Sequence, residues 1–293
     1  MLRQLCIIVI VLFAGLTQNV SGQVFKRPLQ NVQRVVVTFR YEVQNGERTS
    51  NSCVVQQEIK DSLNRLHTVL FWNCQTQKVD SCVWHTFEGR KIVYTQTFRD
   101  GKMCLQQNYT YNADSTLVSE HIVRIAPGDT TLYATLHYKR SGNKLRVDAF
   151  DAFGKRVWCT QSKLNQQGIE TSRKTKVKNG FAPLDSIVER RCWPTYDSLN
   201  RLTHERIEQK HINGHRAVQR IAYSYNAKGQ LIQRTLCDAH GHTVHYERME
   251  YSQHGALKSI SKYNSDGVLV DFHFKRYEFY PTTNRQQRII EHM

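Results

Sequence analysis

A chain of 293 residues, 40% hydrophobic and 23% charged, with 15 Gly and 5 Pro, is long enough for one large domain or two ordinary ones. It excludes collagen, low-complexity disorder and a multi-span membrane protein. Lys and Arg total 41 against 25 acids, a formal charge of +16, which favours polyanionic or acidic partners and says nothing about fold.

Residues 1–22 read as a secretory signal peptide. Arg3 supplies the positive start, Leu5 to Leu16 is an apolar run too short to span a membrane, and Val20-Ser21-Gly22 offers small residues for cleavage. Removal loses one Arg and no acid, so the mature chain carries 40 − 25 = +15 and is expected to hold no transmembrane segment. It also loses Cys6, leaving Cys53, Cys74, Cys82, Cys104, Cys159, Cys192 and Cys237. Export permits disulfides, and an odd count leaves a thiol over. Residues facing each other across a hairpin sum to twice its centre. Cys53 and Cys74 centre on the tip Leu63-Asn64, and Cys74 and Cys82 centre beside Gln77-Lys78. Cys74 therefore reaches either neighbour, and Cys53–Cys74 is the preferred pair. Asn108-Tyr109-Thr110 is a glycosylation sequon.

From Gly89 onward the glycines form a ladder. Gly142, Gly154, Gly168 and Gly180 are separated by 12, 14 and 12 residues, and so are Gly229, Gly241, Gly255 and Gly267. Ser115 and Asn200 fill two gaps in the same rhythm. Four residues before a rung stands an aromatic (Tyr111, Tyr138, Phe150, Tyr196, Tyr225, Tyr251, Tyr263), often followed by Asp or Asn. Two or three residues after it comes an aliphatic such as Leu202, Leu231, Leu257 or Leu269. Asx side chains start turns by accepting from amides two residues on, and Gly or Asn takes the positive φ that a tight turn requires. Between rungs the chain alternates: Ile221, Tyr223 and Tyr225 on one face against Ala222 and Ser224, and Phe272 and Phe274 against Asp271, His273 and Lys275. That is strand patterning. It predicts an all-β fold, an extended antiparallel meander of repeated hairpins in a curved or rolled sheet that does not close. The 20-residue gap from Gly180 to Asn200 holds Pro183 and Pro194 and predicts a longer connection or bulged strand. It divides an N-terminal β-repeat region, 23–185, from a C-terminal one, 186–293, within one continuous sheet.

Tyr196-Asp197-Ser198-Leu199-Asn200-Arg201-Leu202-Thr203 resembles the YD repeat, the tyrosine–aspartate repeat of Rhs-type and teneurin-type proteins. Tyr225-Asn226-Ala227-Lys228-Gly229-Gln230-Leu231 and Tyr263-Asn264-Ser265-Asp266-Gly267-Val268-Leu269 are similar, and Lys60 to His67 repeats six consecutive residues of the first. The resemblance implies a long antiparallel sheet that spirals, in some relatives into a shell around a toxin. No toxin-like segment is expected after the last rung.

Candidate sites are sparse. Arg173, Lys174, Lys176 and Lys178, ahead of Gly180, form the densest basic run and a candidate ligand-binding group. His211 and His215 flank one tip; Cys237, His240 and His242 surround another on the same edge, with His245 beyond. Such residue types ligate transition metals, although the spacing matches no closed zinc pattern. No phosphate loop, His-Glu-x-x-His or nucleophile elbow occurs, and no cofactor is expected. Glu189, Glu205, Glu208, Glu247 and Glu250 lie near basic residues, as cross-strand ion pairs do. These features predict a secreted, periplasmic or cell-surface β-repeat protein without enzymatic activity, acting as a binding or scaffold surface. The expected partner is an anionic polysaccharide, an envelope polymer or another cell-surface protein, and not nucleic acid. The alternatives are a secreted enzyme acting on polysaccharide and a structural subunit that assembles edge to edge.

Overall fold

The computed structural model describes residues 32–126, 129–178 and 187–279. The predicted signal peptide, the rungs at Gly128 and Gly180, Pro183 and the C-terminal tail lie outside these residues. The described chain is eighteen strands in sequence order. The first nine are β1 (Val32–Gln44), β2 (Glu47–Asp61), β3 (Leu66–Trp72), β4 (Val79–Glu88), β5 (Lys91–Arg99), β6 (Lys102–Tyr111), β7 (Leu117–Ala126), β8 (Asp129–Ser141) and β9 (Lys144–Phe150). The rest are β10 (Arg156–Leu164), β11 (Glu170–Val177), β12 (Ile187–Tyr196), β13 (Leu202–His211), β14 (Arg216–Tyr225), β15 (Leu231–Cys237), β16 (Thr243–Tyr251), β17 (Leu257–Asn264) and β18 (Leu269–Phe279). Each pairs antiparallel with the next, and β1 also pairs with β18, from Arg34↔Phe279 to Tyr41↔Phe272.

The sheet is therefore a closed barrel, which corrects the expected open sheet. An open meander would leave β1 and β18, two of the longer strands, with a full row of unpaired N–H and C=O groups. Closure satisfies both rows and removes the edges. Twist and coiling of so wide a sheet bring the ends together. At the closure the tips of β1–β2 and β17–β18 meet closely. Gly46 has φ 79, and a Cβ there would lie 2.9 Å from Val268 Cγ1, so only glycine fits both the turn and the neighbour.

The tips follow the sequence pattern. Ser115 (φ 65) and Asn200 (φ 60) hold the left-handed conformation that glycine takes at other rungs. Asn226 Oδ1 accepts from the amides of Lys228 and Gln230, and Asp197 Oδ1 from those of Leu199 and Arg201. A tyrosine near the end of several strands serves the tip before it. It sits at a register shift, between Ser224 and Tyr225 or Glu250 and Tyr251, and the bulge re-aims its ring. Tyr225 then donates to the Leu202 carbonyl at 2.8 Å, Tyr251 to that of Leu231 at 2.8 Å, Tyr277 to that of Leu257 at 2.8 Å and Tyr111 to that of Ile92 at 2.9 Å. One rim of the barrel is thus stitched tip to tip at β6 and at every second strand from β14 to β18. Side chains add to it: Arg65 donates to the Gly89 carbonyl, and Gln230 to that of Gly255. The ladder continues through the Pro-containing region, where Arg173↔Cys192 to Lys176↔Glu189 join β11 to β12. Pro194 lies on β12 beyond this pairing and opposite Glu205 of β13. Its missing N–H therefore removes no bond to β11.

Candidate functional site

Residues directly opposed in an antiparallel ladder share a face, and neighbours along a strand alternate. Following the register round the ring assigns two faces. One carries Ile122, Ala134, Leu136, Tyr138, Val147, Ala149, Trp158, Cys192, Ile207 and Tyr223. The other carries Lys139, Arg146, Lys163, Lys174, Lys176, Arg191, Arg206, Lys210 and Arg220. From β8 to β14 the first face is the more buried. Ala134, Leu136, Ala149, Cys192 and Ile207 are covered, whereas Lys139, Lys163, Lys176, Arg191, Arg206, Lys210 and Arg220 are exposed. On β1, β2 and β17 the second face is instead the more buried, with Val35, Val37, Ile59 and Ser259 covered; the first face is called the inner one and the second, cationic over β8–β14, the outer one.

The outer face of β8–β14 places cations directly opposite cations: Lys139↔Arg146, Lys144↔Lys163, Lys174↔Arg191, Arg206↔Arg220 and Lys210↔Arg216. Like charges in that position are unfavourable. Three acids share the surface. Glu189 accepts from Arg191 at 2.6 Å and Lys174 at 3.3 Å. Asp148 takes Arg146 at 2.6 Å and Arg156 at 3.4 Å, and Glu208 pairs with Arg206. Partial burial raises the Glu189 carboxyl, but hydrogen bonds from Arg191 and Lys174 outweigh it and hold the group below its ordinary value. The Arg146 hydrogen bond likewise holds Asp148 low.

The basic run of the sequence is divided by strand alternation. Lys174 and Lys176 join this outer patch. Arg173 lies on the opposite face, where it too is exposed, and is held by Glu170 at 2.6 Å, and Lys178 follows the end of β11 and is exposed. Strand alternation along the sequence also lines up Arg191, Arg206, Lys210, Arg216 and Arg220 of β12–β14, which follow the run, whereas the opposed residues on β8–β10 carry no such signal. They are far apart in sequence, and only the register brings them together.

The histidine and cysteine candidates do not converge. The rings of His211 and His215 are 5.6 Å apart and those of His240 and His242 6.0 Å. His242 Nδ1 lies 3.3 Å from Asp238, and Cys237 is opposed to Arg220 on one side and Thr243 on the other. No group of three or more His, Cys, Asp or Glu positioned to hold a metal occurs among the described residues. The two tips lie two strands apart, too far for short side chains to share an ion. Cys53 and Cys74 are joined in a disulfide with Cα atoms 5.4 Å apart, on the register sum of 127 that Gln56↔Phe71 and Ile59↔Thr68 also obey. Cys82 is instead opposed to Leu70, and burial pushes its thiol up to about 12. Among the described residues, no helix is long and apolar enough to cross a membrane.

No family model matches the chain, and no curated protein matches it. Several solved structures are similar at low identity. A porin-like protein from Bacteroides vulgatus has 10% identity over 86% of this chain and 99% of its own, with a TM-score of 0.35. A protein of unknown function from Bacteroides fragilis has 10% identity over 54% of this chain and 91% of its own, with a TM-score of 0.24. The TcdB2-TccC3 structure has 12% identity over 79% of this chain and 15% of its own, with a TM-score of 0.26.

Proposed function

We propose that the chain is an exported, non-enzymatic β-repeat barrel of the YD-repeat kind, whose outer wall over β8–β14 binds an anionic polysaccharide or envelope polymer. The export reading rests on the leader-like residues 1–22 of the sequence. The hydroxyls of Tyr111 and Tyr225, each followed by Asn and each bonded to the preceding tip, support the repeat reading. The observation that carries the binding reading is the set of directly opposed cation pairs. A wall selected for stability alone would alternate charge, as the inner face does in the row Arg234↔Glu247↔Lys262↔Asp271. A wall that repels itself gains when a polyanion neutralises it.

Among the described residues, neither face carries the continuous apolar band that a membrane-spanning barrel turns to lipid. The outer face is cationic over β8–β14, and the inner one holds Arg190, Glu205, Arg234, Glu247 and Lys262 over β12–β17. Attraction between such a wall and a polyanion is long-ranged and screened by salt. The protein should therefore be retained on a sulfated-polysaccharide support at low ionic strength, released by about 0.5 M salt, and pass unretained over the neutral polymer. Equal passage over both supports defeats the proposal, and depolymerisation of the bound glycan would replace it with an enzymatic reading.

A further inference from the structure

Beyond the cationic wall, past β15, the outer face changes character. Tyr246 of β16 stacks on Tyr263 of β17, with ring centres 4.9 Å apart and planes at 13°. The Arg248 guanidinium lies over both, at 5.3 and 5.6 Å. Across the closure Phe272 of β18 meets Tyr41 of β1 edge-on at 5.7 Å, and Arg48 lies over these rings at 4.7 and 5.0 Å. Arg48 and Arg248 are both exposed, and neither has a carboxylate within ion-pair distance among the described residues. A guanidinium held against aromatic faces has lost much of its rotational freedom, and its in-plane N–H edge is left to fork onto a planar oxyanion. The two ring pairs sit two strand spacings apart across the sheet and two residues apart along it, ~12 Å in all, close to the length of one disaccharide.

We infer that Arg48 and Arg248, each fixed on its aromatic pair, form two carboxylate-reading subsites for a linear acidic glycan carrying one uronic acid per disaccharide. The inference rests on the polyanion reading of the adjoining wall and adds selectivity to it. The wall attracts any polyanion by charge, and the two pinned forks select planar carboxylates at disaccharide spacing.

The test uses the folded chain with hyaluronan oligosaccharides, which alternate uronic acid and neutral sugar, and with dextran sulfate, which does not. The double variant Arg48→Lys, Arg248→Lys keeps the charge and removes the planar fork. It should weaken hyaluronan binding about tenfold or more and leave dextran sulfate binding within about twofold. Tyr246→Leu, which frees Arg248 and changes no charge, should show the same selective loss in smaller measure, and melting curves establish that the variants are folded. Equal effects on both polymers, or none on either, overturn the subsites. Wild-type protein that binds dextran sulfate and ignores hyaluronan overturns them while the wall reading stands. Failure to bind either polymer removes both.

Discussion

Two arcs of one outer wall share a backbone plan and differ in how they treat their neighbours. At the closure, on β1, β2, β17 and β18, the outer face places Val35, Val37 and Ile59 together, with Phe39 and Val54 packed against them, and buries Ser259 and Ser261 among larger side chains. Its arginines lie on rings, as Arg276 does on Phe39 at 5.0 Å. On β8–β14 the same face repeats Lys and Arg opposite Lys and Arg, mostly exposed. The first arrangement stabilises the ring where the chain's ends must meet. The second spends stability, at roughly 0.2–1 kcal/mol for each opposed like pair, on a surface charge that the fold does not need.

The contrast can be broken most forcefully at the closure. Ile59 is 1% exposed, and Ile59→Ala should lower unfolding free energy by about 2–4 kcal/mol in denaturant titrations. A silent substitution would show that the closure arc is not where the barrel is held. The stitched rim comes next. Tyr251→Phe removes the hydroxyl bond to the Leu231 carbonyl and should cost about 0.5–1.5 kcal/mol. Removing the hydroxyl of Tyr246, whose ring faces the outside, should cost less. On the cationic arc the sign should reverse. Lys144→Gln or Lys163→Gln relieves an opposed pair with no acid within ion-pair distance among the described residues, and should raise stability by a few tenths to about 1 kcal/mol while weakening polyanion binding. Destabilisation by both changes would mean that the cations hold the wall together.

The smallest effect is acidic. Glu189 and Asp148 have carboxyls held below their unfolded values. The stability they contribute is complete above the unfolded range of about 3.9–4.3 and is lost as pH falls through their lower folded values. Below about pH 4 the arc should lose stability and bind sulfated polymer more tightly, because its acids become neutral while sulfate stays charged. Melting and retention measured between pH 5 and pH 3 check both signs.

Much of this fold was legible because its turns are written in local chemistry. Asn200 and Ser115 stand where glycine stands elsewhere, and Asp197 or Asn226 marks the turn that follows a tyrosine. The Cys53–Cys74 pairing followed from the symmetry of a single hairpin. Closure was not legible, because β1 and β18 are separated by the whole chain, and nothing in the spacing of Phe39 and Phe274 announces that they are opposed. The site was half legible for the same reason. Lys174 and Lys176 could be read as a pair, but their partners Arg191 and Glu189 are assigned only by the register across the Pro-containing connection. Arg173, counted with them, belongs to the other face. The tip histidines looked like a ligand set because sequence places them on one edge; the two strand widths between the tips keep them apart.

The central claim is that the position of the cations, and not the chain's net charge, creates the binding wall. The most direct measurement compares two quadruple variants of equal charge on a sulfated-polysaccharide support across a salt gradient. One replaces Lys174, Lys176, Lys210 and Arg220 by Gln; the other replaces Lys102, Lys228, Lys258 and Lys262. The account predicts that the first elutes at markedly lower salt than the wild type, with a shallower dependence of affinity on salt, and that the second elutes close to the wild type. Equal displacement of the two variants would contradict it and reduce the wall to a consequence of net charge.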